Sequence, residues 1–288
     1  LEFRRVLFRS GAAGDVEGAA SEYLKAALIS EDPEIAERAT RIAVSADQWQ
    51  LAVLASDRWA MLAPDSLDAH QLAAGARLKE GDYVGAQYQL TKIIELSEAE
   101  PARGWQLVTS LLGPAGDRGR ANKVMDNLVE KFEAGSNVDA LFARSQLFAM
   151  QGDLDAATRQ ADLAILAAPK RADLLSWAGR LAVNLGNESL ALKRYREAWQ
   201  AAPEDPKIAM SYAELLKRNR DLDKALSVLS QLPDSPEMRF ARLVFALDAG
   251  DRDSAEALYK GFGVAGYEDR SDTAFHAAQS AELLDLPS

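Results

Sequence analysis

The chain of 288 residues contains no cysteine. Disulfide stapling, thiolate chemistry and cysteine-ligated zinc are therefore excluded, while reducing and oxidising compartments both stay open. Histidine is nearly absent too, with only His70 and His276 present. A metal would need carboxylates around one of these, and neither an H-E-x-x-H pair nor an Asp-rich calcium loop occurs. The sequence predicts no cofactor, no metal and no catalytic residue. Only 10 residues are proline and 48% are hydrophobic, which excludes a disordered or fibrous chain. No apolar run is long enough to span a bilayer, and no signal-peptide pattern with a cleavage site is recognisable.

Positive charge is scarce. Lys and Arg number 33 against 44 Asp and Glu, a formal charge of -11 with a pI near 4.8. That balance argues against a nucleic-acid partner, since phosphate neutralisation needs a surplus of cations, and less strongly against an anionic membrane surface. Between Lys170 and Lys224 the balance reverses to 11 basic against 8 acidic residues, a local surplus able to orient an acidic partner. Such a stretch is equally what a solvated helix face produces.

Leu and Ala dominate over Val and Ile, which favours helix over sheet. The order within that composition is a repeat. Gly152-Asp153 is followed by Ala157, Ala161, Ala164 and Pro169, and Gly186-Asn187 by Ala191, Tyr195, Ala198 and Pro203. Corresponding residues lie 34 apart, a period that indicates stacked helical hairpins. In one unit, 139–150 forms a helix with an apolar face, Gly152 permits a tight reversal, Asp153 caps the second helix, and 155–166 returns with its alanines on one side. Pro169 stops that helix.

The alanine equivalent to Ala157 recurs at Ala19, Ala52, Ala86, Ala121, Ala191, Ala225 and Ala255. A turn glycine accompanies it at Gly14, Gly81, Gly116, Gly152, Gly186 and Gly250, with Asp47 and Arg220 filling the turn where glycine is missing. The sequence thus predicts helices at 16–29, 34–44, 49–62, 67–79, 83–96, 102–112, 117–132, 139–150, 155–166, 206–218, 222–232, 236–248, 251–260 and 273–284, with a further pair between Pro169 and Pro203. GPAGDRG, 113–119, is the most irregular connection. It lacks the Gly-Lys-Ser/Thr ending of a phosphate-cradling loop and reads as a turn. The glycine-rich 261–270 reads as a loop.

The first ten residues, LEFRRVLFRS, are basic and apolar ahead of an acidic, Ala-rich chain. They resemble a translated sequencing adapter and are set aside, so the native start is expected to lie elsewhere. Residues 11–288 are expected to form a single solenoid of about seven full hairpins with a partial one at each end.

These residues resemble the tetratricopeptide repeat family from Gly14 to Leu284. The family's small residue in the first helix matches Ala74, Ser145, Gly179 and Ala213; its turn glycine matches Gly152 and Gly186; its alanine matches Ala157 and Ala191. Its aromatic matches Tyr195 and Tyr259, and its closing proline Pro64, Pro169 and Pro203. Where the family carries tryptophan near the repeat start, this chain has His70, Leu141, Leu175 or Ala209. His70 therefore reads as an interface histidine rather than a ligand.

The resemblance implies an all-α fold, a right-handed αα superhelix whose first helices line a concave face that binds peptides or protein surfaces. Mapped by the family pattern, that face comprises Gln71 and Lys79; Gln106; Phe142, Gln146 and Met150; Ser176, Arg180 and Asn184 with Trp177 at the edge; Met210, Glu214, Lys217 and Arg218; and Phe240. Amides and the guanidinium at Gln146, Arg180 and Asn184 suit an extended backbone, and Phe142, Met150, Met210 and Phe240 supply apolar anchors. The expected function is a non-enzymatic adaptor for a protein or peptide partner. The alternatives are a self-assembling structural module, consistent with a homo-oligomer, and the helical appendage of an enzyme whose catalytic domain lies outside this chain. A narrower similarity joins 39–52, ATRIAVSADQWQLA, and 216–225, LKRNRDLDKA, to tetratricopeptide lipoproteins of proteobacteria. It implies a site at the periplasmic face of the outer membrane and delivery of substrates to a carboxyl-terminal processing protease. Without it the expected location is cytoplasmic.

Overall fold

The computed structural model describes residues 16–132, 134–263 and 271–284. The predicted turn at Gly14, the first ten residues and most of the loop to Arg270 lie outside the described residues. Among those described, the structure is α-helical apart from a 3-10 turn at Gly261–Gly263, and no strand occurs.

The helices gather into two compact units, Leu1–Ala167 and Ala168–Ser288. In the first, α1 (Val16–Ile29) packs on the pair α2 (Pro33–Ser45) and α3 (Trp49–Leu62). Three further pairs follow: α4 (Leu67–Glu80) with α5 (Tyr83–Leu96), α6 (Pro101–Leu112) with α7 (Arg118–Lys131), and α8 (Val138–Met150) with α9 (Leu154–Ala167). The second unit holds α10 (Ala172–Asn184) with α11 (Glu188–Ala201), α12 (Pro206–Arg218) with α13 (Leu222–Ser230), and α14 (Pro236–Asp248) with α15 (Arg252–Lys260). There α16 (Ser271–Leu283) packs on α14.

Local chemistry sets each boundary. Asp32, Ser66, Asn137, Asp205 and Ser235 cap first helices, each side-chain oxygen accepting from backbone N–H groups of the opening turn. Asp82, Asp117, Asp153, Asn187 and Asp251 do the same for second helices. Between the helices of a pair the chain reverses through one left-handed residue. Gly81, Gly152, Gly186 and Gly250 take φ of 75°, 84°, 72° and 77° there, and Asp47 and Arg220 take 54° and 63°. The two non-glycine turns thus adopt the conformation their register demands, against a steric penalty of about 1–2 kcal/mol each.

Gly116 departs from this scheme, because it is absent from the left-handed set. Its connection is longer and needs no single-residue reversal. Gly113 is right-handed at φ -56°, and the hydroxyl of Tyr83 accepts from the Asp117 N–H at 2.9 Å to hold the loop end. The pair it joins is also looser: α6 packs more extensively on α8 than on α7. Bulky Trp105, Leu112, Val124, Met125 and Leu128 fill this layer. Two other differences are short. α13 ends at Ser230, ahead of Pro233, rather than at 232, and α16 occupies Ser271–Leu283 rather than 273–284.

The repeating alanines are the floor of the core. Ala52, Ala86, Ala121, Ala157, Ala191, Ala225 and Ala255 are fully buried, and Ala19 nearly so. Small residues on the first helices are buried as well: Ala74, Ser145 and Ala213 are fully buried, and the Ser145 hydroxyl donates to the Ala157 carbonyl at 2.7 Å across its pair. Leu141, Leu175 and Ala209 are buried at the site where the family carries tryptophan.

Candidate functional site

Burial of one face of each first helix leaves the other face to solvent, and none of the positions predicted for the binding face is buried. In the first unit Lys79, Gln106 and Met150 are exposed, and Gln71, Phe142 and Gln146 are half-buried. In the second, Arg180, Asn184, Glu214 and Arg218 are exposed, while Ser176, Trp177, Met210, Lys217 and Phe240 are half-buried. None belongs to the fully buried core.

Their surroundings sort them by what they have left to offer. On α10, Ser176, Arg180 and Asn184 follow at four-residue spacing and so share one helix face. The Arg180 guanidinium stands 5.1 Å from the Trp177 ring centroid, a cation–π contact that holds the side chain in place without neutralising it. Arg180 has no ion pair among the described residues, and neither do Lys193, Arg196, Lys207 or Arg220 from the basic stretch.

Lys217 is differently placed. Its ammonium lies 3.1 Å from Asp248 and 3.3 Å from Glu214, with the Phe245 ring centroid 4.7 Å away. Burial draws its pKa down, but the hydrogen bonds it donates to Asp248 and Glu214, with the charge of those carboxylates, outweigh this and the net shift is upward. This lysine ties α12 to α14 within the molecule. Arg218 approaches Glu188 at 3.6 Å. Phe240 stacks on His276 of α16 with centroids 5.2 Å apart, and Met210 packs against the core cluster of the unit. In the first unit Lys79 lies 5.6 Å from the Trp49 ring, and the thioether of Met150 covers Gly113, where an added Cβ would fall 2.1 Å from its Cε.

Among the described residues no cluster of three or more His, Asp or Glu could hold a metal ion. His70 is 4% exposed, with Nδ1 2.6 Å from Gln89 Oε1 and Nε2 2.8 Å from the Pro64 carbonyl, so both ring nitrogens are engaged in packing α4. No described helix is long and apolar enough to cross a membrane.

Sequence reasoning missed the arginines that lie along helix interfaces. Arg58 donates to the carbonyls of Ala27 and Ser30, and Arg242 to those of Leu229 and Leu232. Nothing in a 34-residue pattern marks them, since a surface arginine and an interface arginine read alike.

The tetratricopeptide repeat family model matches residues 182–244. A TPR repeat-containing protein of Pseudomonas aeruginosa, PA4667, is 27% identical over 195 residues, covering 68% of this chain. The chain spans 32% of that relative's length. Among solved structures, one titled for the functional characterisation of Pseudomonas aeruginosa pilF aligns with 74% of this chain and 97% of its own, at 15% identity and a TM-score of 0.45. The structure of MamA aligns over 55% and 91% at 16% identity and 0.40. That of TTC0263, a thermophilic TPR protein of Thermus thermophilus, aligns over 65% and 100% at 17% identity and 0.38.

Proposed function

From the tetratricopeptide repeats this chain carries, we propose that it is a non-catalytic scaffold that holds a protein partner on the exposed faces of its first helices. The reading rests above all on Arg180, a cation fixed over Trp177, flanked by Ser176 and Asn184, and without a carboxylate partner among the described residues. A partner segment carrying Asp or Glu supplies the missing charge, while Ser176 and Asn184 hydrogen-bond its backbone. The basic stretch from Lys170 to Lys224 favours the same class of partner through its field.

The finer role we propose is that of an adaptor presenting its cargo to a periplasmic processing protease, which rests on the similarity of 39–52 and 216–225 to proteobacterial tetratricopeptide lipoproteins. Affinity capture from the host with the full-length protein, wild type and Arg180→Glu, tests both levels. The scaffold reading expects a captured protein whose affinity for the variant falls roughly tenfold with helical content unchanged. Equal binding by the variant would remove Arg180 from the interface. A capture without any protease leaves the scaffold and rejects the delivery role.

A further inference from the structure

The second helices α3 and α5 flank α4 and enclose a cleft of about 580 Å³ in the first unit. That is within the ~300–1,000 Å³ range of pockets that take a small ligand or a few side chains. Its lining contains none of the positions predicted for the first-helix face. Between its polar side chains stand three large apolar ones open to solvent: Met61 is 63% exposed, Tyr88 61% and Leu96 37%. Grouped apolar exposure of this kind marks an interaction site more often than scattered exposure does.

The charges in the cleft specify the occupant. Arg77 crosses Gly85, where an added Cβ would lie 2.4 Å from its Nε, and it is bound by Asp57 at 2.7 Å with Asp82 at 3.4 Å. Lys92 is bound by Glu95 at 2.7 Å. Both cations of the lining are thus already neutralised. Asp65 is exposed and has no ion pair among the described residues. An incoming anion finds no free cation here, whereas an incoming cation finds Asp65 and the open face of Tyr88, a carboxylate and a π surface that suit an ammonium or guanidinium. The wider field agrees, since residues 11–167 hold 14 Lys and Arg against 24 Asp and Glu.

We infer that this cleft is a second docking site, taken by a basic and apolar segment of a protein partner. An Arg or Lys of that segment lies against Tyr88 and Asp65, and an aliphatic side chain rests on Met61 and Leu96. Methionine suits the role because its unbranched thioether adapts to varied partners.

Fluorescence anisotropy on the full chain with three short labelled peptides provides the test: one alternating Arg and Leu, one Arg and Gln, one Glu and Leu. The Arg/Leu peptide should bind saturably. Met61→Ala/Tyr88→Ala should weaken it at least about tenfold and Asp65→Lys about threefold. These side chains are exposed, so circular dichroism should show unchanged helicity, and Arg180→Glu should bind like wild type. No binding of the Arg/Leu peptide, equal affinity for either other peptide, or indifference to Met61→Ala/Tyr88→Ala would each overturn the assignment, the last by reducing the effect to general attraction for an acidic surface.

Discussion

Gly179 on α10 is pressed against the ring of Tyr195 on α11: a Cβ built on it would lie 2.9 Å from Cδ2 and 3.0 Å from Cε2. Here glycine serves a close approach, in a right-handed helix, where the neighbouring ring takes the volume that a side chain would need. Burial also pushes the Tyr195 phenol pKa upward, against a smaller opposing pull from Arg180. Gly179→Val should therefore destabilise the chain by about 1–3 kcal/mol through overpacking. Adding Tyr195→Leu should recover part of that loss, because the two residues compete for one space. Urea denaturation of the two single variants and the double checks this. Strict additivity would show that the residues do not share the space.

The repeating alanine is under the same constraint and admits a larger insult. Ala157 is fully buried, and its carbonyl accepts from Ser145 across the pair. Ala157→Trp would place an indole where a methyl group fits and drive α8 from α9. The expected loss is about 3 kcal/mol or more, at the upper end of overpacking effects. A melting temperature equal to wild type would refute the assigned pairing of these helices.

Two glycines that look alike in the sequence should behave oppositely. Gly152 sits at φ 84° with open space around its Cα, so Gly152→Ala meets no clash but does meet the left-handed penalty, about 1–2 kcal/mol. Gly116 has the same open surroundings without a left-handed φ. Gly116→Ala should fall within about 0.5 kcal/mol of wild type, with any shift toward stability through a less flexible unfolded chain. Thermal unfolding of the pair separates the two cases, and similar losses in both would contradict the turn assignment.

That contrast marks how far the repeat can be read from residues alone. Periodicity located most helices to within one or two residues at each end, because the alanines that define the ruler are the contacts that set helix spacing. It also marked Asp47 and Arg220 as turn residues, since the register demands a left-handed position there whatever occupies it. It placed Gly116 in a turn and marked that connection as irregular, but could not show that the stretch from Gly113 to Asp117 spreads its reversal over several residues and is pinned by a distant phenol, Tyr83. The proposed face can be read from the sequence as a side of each helix and no further. Arg180 and Lys217 are both cations on the predicted face, yet one stacks on Trp177 and the other is held by Asp248 and Glu214. Which cation stays available depends on a neighbour 31 residues away, in the next hairpin.

Lys217 should reveal itself in stability rather than in binding. Its folded pKa is raised, so the stabilisation from Asp248 and Glu214 is fully present below the unfolded lysine value of about 10.4 and is lost as pH climbs through the higher folded value. Lys217→Met keeps the aliphatic stem beside Phe245 and removes the charge. The variant should melt below wild type at neutral pH, and the gap between them should narrow as pH rises above about 10.4. Buried Tyr195 and Tyr212, whose pKa values burial also raises, titrate in that alkaline range in both proteins, so the difference between wild type and variant isolates the lysine. Differential scanning calorimetry across neutral to alkaline pH measures it. A gap that stays constant would mean the ammonium contributes nothing and only the stem matters. Partner affinity should change far less than in Arg180→Glu, because Lys217 is already occupied inside the fold.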